Sequence, residues 1–247
     1  MKKSSTIKGS IDSIESMGLV DGPGIRTVIF MNGCKLRCKY CHNPEMWQKK
    51  EGNFTPEEIL QKVMRNKPYF KRNNGGVTFS GGEPLLQPEF LIETCKLLKK
   101  ENIHIALDTS GCGIGKYEEI LKYVDLVLLD IKHTDKDEYQ KLTSQPIEES
   151  LKFIEELNKS NKSVWIRQVI VPGLMDNETY LNSLIKTLDK IKNIERIDFL
   201  PYHKLGREKY LTLGIPYPLE NINEMDKEKS NTLYKKFMEL YKQNKDR

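Results

Sequence analysis

Three cysteines within eight residues constrain this chain more than any other feature. Cys34, Cys38 and Cys41 form a C-x3-C-x2-C pattern in a chain of 247 residues that has five cysteines in all. The amino-terminal segment has a basic start but no apolar stretch of signal-peptide length. An odd number of cysteines without an export signal indicates metal binding, not disulfide bonding.

The spacing of these cysteines fits two kinds of metal site. Three thiolates can hold three corners of a cubane iron–sulfur cluster, which normally takes four cysteines. The fourth iron would then lack a protein ligand, and an open coordination position is what metal chemistry on a substrate requires. The alternative is a zinc site completed by His42, although adjacent residues rarely both reach one ion. Lys35, Arg37 and Lys39 would lower the thiol pKa values in either case.

The rest of the sequence predicts an α/β fold. Apolar, β-rich runs lie at residues 25–31, 77–79, 103–107, 126–131, 164–171 and 197–200. Helical patterns lie between and after them, from Thr55 onward and at 88–100, 117–123, 148–159, 178–191 and 230–244. Such alternation predicts a parallel sheet with right-handed crossovers.

Six strands are too few for a closed barrel of eight, so we expect an open, partial (β/α)6 barrel of the TIM type. No repeat, linker or composition shift divides the chain, which indicates a single domain. In this interpretation residues 1–20 are an amino-terminal extension, residues 25–203 form the barrel, and residues 204–247 are a carboxyl-terminal extension that ends in a helix.

Polar or glycine-rich groups follow every predicted strand. They are Cys34, Ser80-Gly81-Gly82-Glu83, Asp108-Thr109-Ser110-Gly111, Asp130-Ile131-Lys132, Arg167 and Pro201-Tyr202-His203. Because chemistry collects beyond the carboxyl ends of strands in such folds, these groups predict one active-site rim. The open side of the barrel would leave room for a large substrate.

Several rim groups have an ordinary alternative. Asp108 and Asp130 end adjacent apolar strands, where unpaired charges would be expensive. They predict either a bound cation that prefers oxygen ligands or plain ion pairs with Lys132 or Arg167. The glycines at Ser80-Gly81-Gly82-Glu83 would admit a ligand close to the backbone, or would only make a tight turn. Strand-end His203 is expected to contact a ligand.

Charge and hydropathy exclude two broad classes of function. The chain has 40 basic and 35 acidic residues, a net charge of +5, and the two signs are finely mixed, which does not favour nucleic-acid binding. No run of some eighteen apolar residues is present, so no membrane span is predicted. We expect a cytoplasmic protein.

Seven ordered segments resemble the radical S-adenosylmethionine superfamily, and within it the glycyl-radical-enzyme activating family. The segments are DGPGIR at Asp21, CKLRCKYCHNP at Cys34, GGVTFSGGEP at Gly75, LDTSG at Leu107, LVLLDIK at Leu126, VWIRQVIVPG at Val164 and LPYHKLG at Leu200. The cysteine spacing marks the superfamily, whereas DGPGIR, YCHNP and LPYHKLG are specific to the activating enzymes. The likeness runs essentially from end to end.

The resemblance implies a set of cofactors and ligands. Cys34, Cys38 and Cys41 would hold a 4Fe-4S cluster whose free iron binds S-adenosylmethionine. The residues implied to contact S-adenosylmethionine are Tyr40, Cys41, His42, Gly82, Asp130, Ile131, Lys132 and His203. The ligands implied for a monovalent cation, sodium or potassium, are Asp108, Thr109, Asp130 and the carbonyl group of Leu128.

The resemblance also implies a reaction and its partners. One electron from a reduced flavodoxin or ferredoxin would cleave S-adenosylmethionine to methionine and a 5′-deoxyadenosyl radical, which takes a hydrogen atom from a glycine of a partner enzyme. The short chain favours pyruvate formate-lyase as that partner, and another glycyl-radical enzyme is the alternative. Asp21 would help to hold the glycine-bearing loop. No catalytic acid or base is implied, and a monomer is expected.

A different class of function remains open from the residues alone. A zinc-stabilised binding module could use Lys35, Arg37 and Lys39 to bind an acidic partner or nucleic acid. That interpretation leaves the glycine-rich and acidic strand ends unexplained.

Overall fold

A seven-stranded sheet organises the chain, in a computed structural model that describes residues 7–70 and 74–245. The strands lie side by side in chain order. Their bounds are Ile11–Gly18 (β1), Arg26–Met31 (β2), Gly76–Gly81 (β3), His104–Thr109 (β4), Leu126–Asp130 (β5), Ser163–Ile170 (β6) and Ile194–Pro201 (β7). All six predicted strands are present, as β2 to β7, and pair in parallel. The predicted open, mainly parallel α/β architecture is confirmed.

The first strand, β1, lies in the region that the sequence predicted as an amino-terminal extension. No strand was predicted there, and β1 pairs antiparallel with β2. Only Ile11 of this strand is fully buried, and most of the residues after it are exposed. An edge strand of this kind lacks a regular apolar alternation, so periodicity does not reveal it. Within the described residues β1 and β7 do not pair with each other, which leaves the barrel open between them.

Helices connect the strands and cover one face of the sheet. Their bounds are Pro56–Met64 (α1), Lys67–Phe70 (α2), Pro88–Lys100 (α3), Tyr117–Leu121 (α4), Lys136–Thr143 (α5), Glu148–Ser160 (α6), Glu178–Leu188 (α7), Arg207–Thr212 (α8) and Lys227–Lys245 (α9). All predicted helices are present, whereas the short helices α2, α5 and α8 were not predicted. Across residues 7–70 and 74–245, no helix has the length and apolar character to cross a membrane.

The start of α1 shows why the strongest helix prediction succeeds. The Thr55 side chain accepts a hydrogen bond from the Glu58 N–H at 3.3 Å, and the Glu58 carboxylate accepts one from the Thr55 N–H at 2.8 Å. Pro56 occupies the first helical position, where no N–H donor is needed. These local interactions can be read from neighbouring residues.

The two faces of the sheet have different surroundings. The face toward the helices carries the main hydrophobic core. A small second cluster lies on the opposite face, inside the barrel, and consists of Ala106, Leu126, Leu128 and Trp165. Because side chains two residues apart share a face of a strand, the next groups along the barrel interior are Asp108, Asp130 and Arg167. The barrel interior therefore changes from apolar to charged toward the carboxyl ends of the strands.

Candidate active site

A cavity of about 520 Å³ opens over the carboxyl ends of the parallel strands. Twelve predicted site residues line it: Asp21, Cys34, Cys38, Tyr40, Cys41, His42, Gly82, Asp108, Thr109, Asp130, Lys132 and His203. The predicted residues Leu128 and Ile131 do not line it. Leu128 belongs to the apolar cluster inside the barrel, and the N–H of Ile131 donates to the Arg167 carbonyl at 3.0 Å. The structure thus brings most of the predicted rim to one cavity.

The loop that carries the three cysteines is tightly held. We call residues 34–41 the cysteine loop. The Cys34 N–H donates to the Trp47 carbonyl at 3.0 Å, and the Cys41 N–H donates to the Cys38 carbonyl at 2.9 Å. All three thiols are free, and all three residues line the cavity. Backbone hydrogen bonds therefore hold the loop so that three thiols reach one cavity, and no disulfide bond joins any two of them.

The electrostatics of the three thiols fit a cationic cluster. Burial raises the pKa of Cys34 and Cys41, and it raises the pKa of Cys38 to about 12. Repulsion from Cys38 and Cys41 also raises the pKa of Cys34, and repulsion from Cys41 raises the pKa of Cys38. A bound metal cluster would supply the positive charge that stabilises three buried thiolates, because metal binding is coupled to thiol deprotonation. The free thiols on the cavity wall therefore suit an iron–sulfur cluster.

His42, the fourth ligand of the alternative zinc site, makes its contacts with His203. Its ring stacks on the ring of His203, with centroids 4.1 Å apart and planes inclined by 17°. Its Nε2 atom lies 3.2 Å from the carbonyl oxygen of His203. In the part of the chain that the structure describes, no three His, Cys, Asp or Glu side chains are grouped to hold one metal ion. The His42 ring is therefore occupied by its contacts with His203, and the cysteines are not drawn together around the position of a single ion.

The two stacked imidazoles form a flat surface on the cavity wall. Burial and the neighbouring His203 lower the pKa of His42, which keeps its ring neutral near pH 7. Flat, neutral rings stack well on other aromatic rings. This part of the cavity can therefore accept a planar heterocycle.

The glycines after β3 allow two backbone segments to touch. The Glu83 N–H donates to the Gly33 carbonyl at 2.8 Å. A Cβ atom on Gly82 would lie 2.3 Å from that same carbonyl oxygen. Gly81 has a φ of +107°, which favours glycine. The turn after β3 is therefore packed directly against the residue that precedes the cysteine loop.

Glu83 joins the loops after β3 and β4. Its carboxylate is buried and accepts hydrogen bonds from the Thr109 hydroxyl at 2.5 Å, from the Ser110 hydroxyl at 2.6 Å and from the Ser110 N–H at 3.0 Å. Burial raises its pKa, and these neutral donors oppose that shift. Glu83 thus holds two loops of the cavity wall in fixed register.

A four-residue ion-pair network lies at the centre of the rim. Arg167 pairs with Asp108 and, at 3.0 Å, with Asp130, while Lys132 pairs with Asp130 at 2.9 Å. Burial alone would raise the pKa of Asp130, but Arg167 and Lys132 lower it to about 2. The Ser80 hydroxyl also donates to Asp108 at 2.6 Å. The ion pairs that the sequence left as one alternative are therefore present.

The DGPGIR segment places an acidic side chain at the open side of the cavity. The Thr78 hydroxyl donates to the Asp21 carbonyl at 2.6 Å and accepts from Arg26 Nε at 3.0 Å. Burial and nearby Asp108 raise the pKa of the Asp21 carboxyl. The turn predicted from the sequence is thus anchored inside the barrel, and Asp21 faces the cavity.

Sequence reasoning missed several residues that shape the site. Trp47 lines the cavity, and the contacts by which Ser80 and Glu83 hold the wall were not foreseen, although both were named in the rim. Arg167 was named as a strand-end group and as a possible partner for the acids, and the structure makes it the centre of their network. The position of Arg167 on a strand end was a usable signal, whereas the contacts of Trp47 depend on the folded loop.

Comparisons with known proteins agree with this geometry. Residues 28–182 match the Radical SAM superfamily. The chain is 53% identical to a pyruvate formate-lyase-activating enzyme from Clostridium pasteurianum, over 95% of this chain and 99% of that protein. A crystal structure of a domain of pyruvate-formate lyase-activating enzyme from Bacteroides vulgatus ATCC 8482 is 28% identical, with a TM-score of 0.55 over 68% of this chain and 94% of that chain. A radical SAM methyltransferase from Sphaerobacter thermophilus, 15% identical, shares the fold with a TM-score of 0.63 over 94% of this chain and 75% of that chain.

Proposed function

The chain belongs to the radical S-adenosylmethionine superfamily and, within it, to the pyruvate formate-lyase-activating enzymes, and we propose on that basis that it generates a glycyl radical on pyruvate formate-lyase. One observation of the structure carries the chemistry: three free cysteines line one cavity, and no fourth cysteine of the described residues lines it with them. When bound, the 4Fe-4S cluster and S-adenosylmethionine supply a reductively formed 5′-deoxyadenosyl radical that removes the glycine hydrogen atom.

The residues of the chain bind and orient these groups. Cys34, Cys38 and Cys41 hold the cluster, and the stacked pair of His42 and His203 accepts the adenine ring. Tyr40 supports this assignment because its buried hydroxyl has no hydrogen-bond partner among the described residues. An unpaired buried hydroxyl is expensive, so a ligand in the cavity that accepts from it would be stabilised.

The ligand's methionine end is assigned to the rim network and the turn after β3. Gly82, which lines the cavity, would approach the amino group with its backbone, and its lack of a Cβ atom is what lets this turn pack against the Gly33 carbonyl. Asp130, Ile131 and Lys132 would contact the ribose or carboxylate side. Lys132 is suited to an anionic group, because its charge is buried and its pKa is raised despite that burial, through Asp130.

A monovalent cation, sodium or potassium, is proposed for the same rim. Its ligands would be Asp108, Thr109, Asp130 and the Leu128 carbonyl. In the ion-pair network, two carboxylates are balanced by Arg167 and Lys132. A ligand carboxylate that pairs with Arg167 and Lys132 would leave the negative charges of Asp108 and Asp130 only partly balanced. An added cation would restore the balance.

The partners are also proposals. Pyruvate formate-lyase is the expected substrate because the relative named above bears its name, and another glycyl-radical enzyme is the alternative. Asp21 would contact the glycine-bearing loop at the open side of the barrel. A reduced flavodoxin or ferredoxin would supply the electron to a cytoplasmic monomer. No residue is assigned as a catalytic acid or base, because hydrogen-atom transfer requires none.

Replacing one cluster ligand tests the proposed function. Cys38→Ala should lose iron, acid-labile sulfide and 5′-deoxyadenosine formation, because two thiolates cannot hold the cluster. Cys95→Ala is the matched control, since Cys95 is buried on α3 and remote from the proposed ligands. Iron and sulfide are measured after anaerobic reconstitution, and 5′-deoxyadenosine by chromatography. Unchanged product formation in Cys38→Ala would contradict the ligand assignment, and one zinc without sulfide in the wild type would favour the binding module.

A further inference from the structure

We propose that the outer face of the cysteine loop is a docking surface for a small acidic electron-carrier protein. The surface is formed by Lys35, Arg37 and Lys39, which we call the basic collar. This inference rests on the proposed function, which requires one electron to reach the cysteine-bound cluster. The carrier loses that electron and the cluster gains it, and no bond forms or breaks in the step.

The position of the collar follows from the course of the loop. Its three residues occupy the sequence positions between Cys34 and Tyr40, and Arg37 and Lys39 flank Cys38 directly. The cavity side of the cysteines has to hold S-adenosylmethionine, so a protein carrier cannot approach there once that ligand is bound. The outer face of the loop is the remaining short route to the cluster.

The loop is held rigidly where a partner would touch it. The Arg37 N–H donates to the Thr143 carbonyl at 2.7 Å, and the Lys39 N–H donates to the Leu142 carbonyl at 3.0 Å. These bonds fix the loop against the end of α5. A surface that is already ordered loses little conformational entropy when a partner binds.

The positive charge of the collar is not balanced by the protein. Lys35 Nζ donates to the Gly113 carbonyl at 3.0 Å, and the Arg37 guanidinium donates to the carbonyls of Cys34 and Leu36 at 2.7 and 2.9 Å. Lys39 Nζ makes no hydrogen bond within residues 7–70 and 74–245. No collar residue forms a salt bridge with a described carboxylate.

Nearby carboxylates already have partners of their own. Glu138 pairs with Lys141 at 2.7 Å, and Glu149 pairs with Lys152 at 2.6 Å. The collar therefore presents three positive charges beside the cysteines that form no salt bridge with the described residues, and Glu149 acts on Lys35 only from a distance. Charge of one sign at such a place steers an oppositely charged partner and raises its association rate.

A concave surface lies beside the collar. A cavity of about 380 Å³ is lined by basic, acidic and apolar groups, which include Lys39, Lys141, Glu138, Glu220, Leu174, Met175 and Leu219. Both of its carboxylates are already ion-paired, Glu138 with Lys141 and Glu220 with Arg207. Transient electron-transfer complexes have small interfaces that combine charge attraction with a limited apolar contact. The collar and this cavity fit an acidic carrier that presents the edge of a flavin or of an iron–sulfur cluster.

The collar charges can be removed without disturbing the loop. The test variant is Lys35→Gln/Lys39→Gln, which leaves Arg37 in place because Arg37 bonds the loop carbonyls. The matched control is Lys186→Gln/Lys235→Gln, which removes two charges from exposed positions of α7 and α9. Neither control lysine forms a salt bridge with a described residue. Iron and sulfide contents are measured first, to show that each variant holds its cluster.

The decisive measurement is the second-order rate constant for cluster reduction by fully reduced flavodoxin, followed by stopped-flow absorbance. At low salt the collar variant should be slower than the wild type by about tenfold, and the control variant should match the wild type. The difference should shrink at high salt, because the screening length falls from ~30 Å at 0.01 M to ~3 Å at 1 M. Equal rates and equal salt dependence in the collar variant and the wild type would overturn the proposal.

A small cationic reductant separates the two proposals. Reduced methyl viologen is not attracted by positive charge, so it should reduce the cluster of the collar variant at least as fast as that of the wild type. If viologen-reduced wild type forms no 5′-deoxyadenosine, both the proposed function and the docking proposal fail. If viologen-reduced wild type does form 5′-deoxyadenosine, but flavodoxin reduces the collar variant as fast as the wild type, only the docking proposal fails. Should the double variant lose its cluster, Lys39→Gln must show the slower rate and Lys39→Arg must restore it.

Discussion

The barrel buries one arginine at each end, and the two are held in different ways. Arg167, at the carboxyl ends of the strands, lies between the carboxylates of Asp108 and Asp130. Arg26, at the amino end of β2, is fully buried and forms no salt bridge with a described carboxylate. Its guanidinium donates to the Thr78 hydroxyl at 3.0 Å, to the Val77 carbonyl and, at 3.4 Å, to the Pro23 carbonyl.

The two arginines also differ in how their surroundings treat the charge. Burial opposes the charge of both, but Asp108 and Asp130 raise the pKa of Arg167. Burial lowers the pKa of Arg26 to about 10, because the charges of Asp125 and Asp21 only partly offset the cost of burying the guanidinium. The comparison separates two roles: Arg167 belongs to a balanced charge network that a charged ligand can rearrange, whereas Arg26 is a clamp that ties the DGPGIR segment to the barrel.

The largest effect is expected at the rim. Arg167→Met leaves two buried carboxylates facing each other, so the free energy of unfolding should fall by about 3–5 kcal/mol at pH 7. The free energy of unfolding should fall less in Arg167→Lys, because lysine keeps one positive charge between the two carboxylates. Urea unfolding of the protein without cofactors measures both. A loss below about 1 kcal/mol in Arg167→Met would show that Lys132 alone balances the two acids.

A smaller effect is expected at the amino end of the barrel. Arg26→Met leaves a buried hydroxyl and carbonyl groups with fewer donors, so the free energy of unfolding should fall by about 2–3 kcal/mol. S-adenosylmethionine cleavage without the lyase should be unchanged, and the KM for the lyase should rise because Asp21 is less well positioned. Arg26→Lys should recover part of the free energy of unfolding and part of the affinity for the lyase that shows in the KM. An unfolding free energy in Arg26→Met equal to that of the wild type would mean that the hydrogen bonds of Arg26 gain no more than the burial of its charge costs.

The smallest effect is a pH dependence that belongs to the rim alone. Asp130 has a pKa of about 2 in the fold and an ordinary value of 3.8, so the folded state favours its charged form. That stability is fully present above pH 3.8 and is lost as the pH falls toward 2. The free energy of unfolding of the wild type should therefore exceed that of Asp130→Asn by about 2 kcal/mol at pH 7.

The same pair of proteins provides the check at low pH. The difference in unfolding free energy between wild type and Asp130→Asn should narrow steadily from pH 4 to pH 2, in urea titrations without cofactors. The parallel comparison of wild type with Arg26→Met should narrow far less there, because Arg26 forms no salt bridge with a described carboxylate and Asp125 and Asp21 act on it only from a distance. A constant difference for Asp130→Asn across that range would contradict the rim network.

The sequence predicted the strands and the rim because both depend on neighbouring residues. Apolar runs reveal β2 to β7, and the residues that follow each run identify the cavity wall. It did not predict β1, whose exposed edge has no clear periodicity, or the clamp at Arg26. Arg26 contacts Thr78, 52 positions away, and His104, 78 positions away, so only the folded chain brings them together.

The rim also shows what resemblance adds and what it leaves out. The residues implied to bind S-adenosylmethionine do line one cavity, apart from Ile131. Ser80 and Glu83 were named in the rim, but their part in holding the cavity in shape was not predicted. Their roles depend on bonds to the loop after β4, and loop-to-loop contacts have no signature in local sequence.

The most direct measurement for the whole account is an electron paramagnetic resonance spectrum. Iron-reconstituted, reduced protein is mixed anaerobically with S-adenosylmethionine and pyruvate formate-lyase, and a parallel sample omits S-adenosylmethionine. The account predicts the doublet of a glycyl radical on the lyase in the complete mixture alone. A reduced-cluster signal with 5′-deoxyadenosine but no doublet would contradict pyruvate formate-lyase as the substrate, and the absence of any cluster signal would contradict the cysteine site itself.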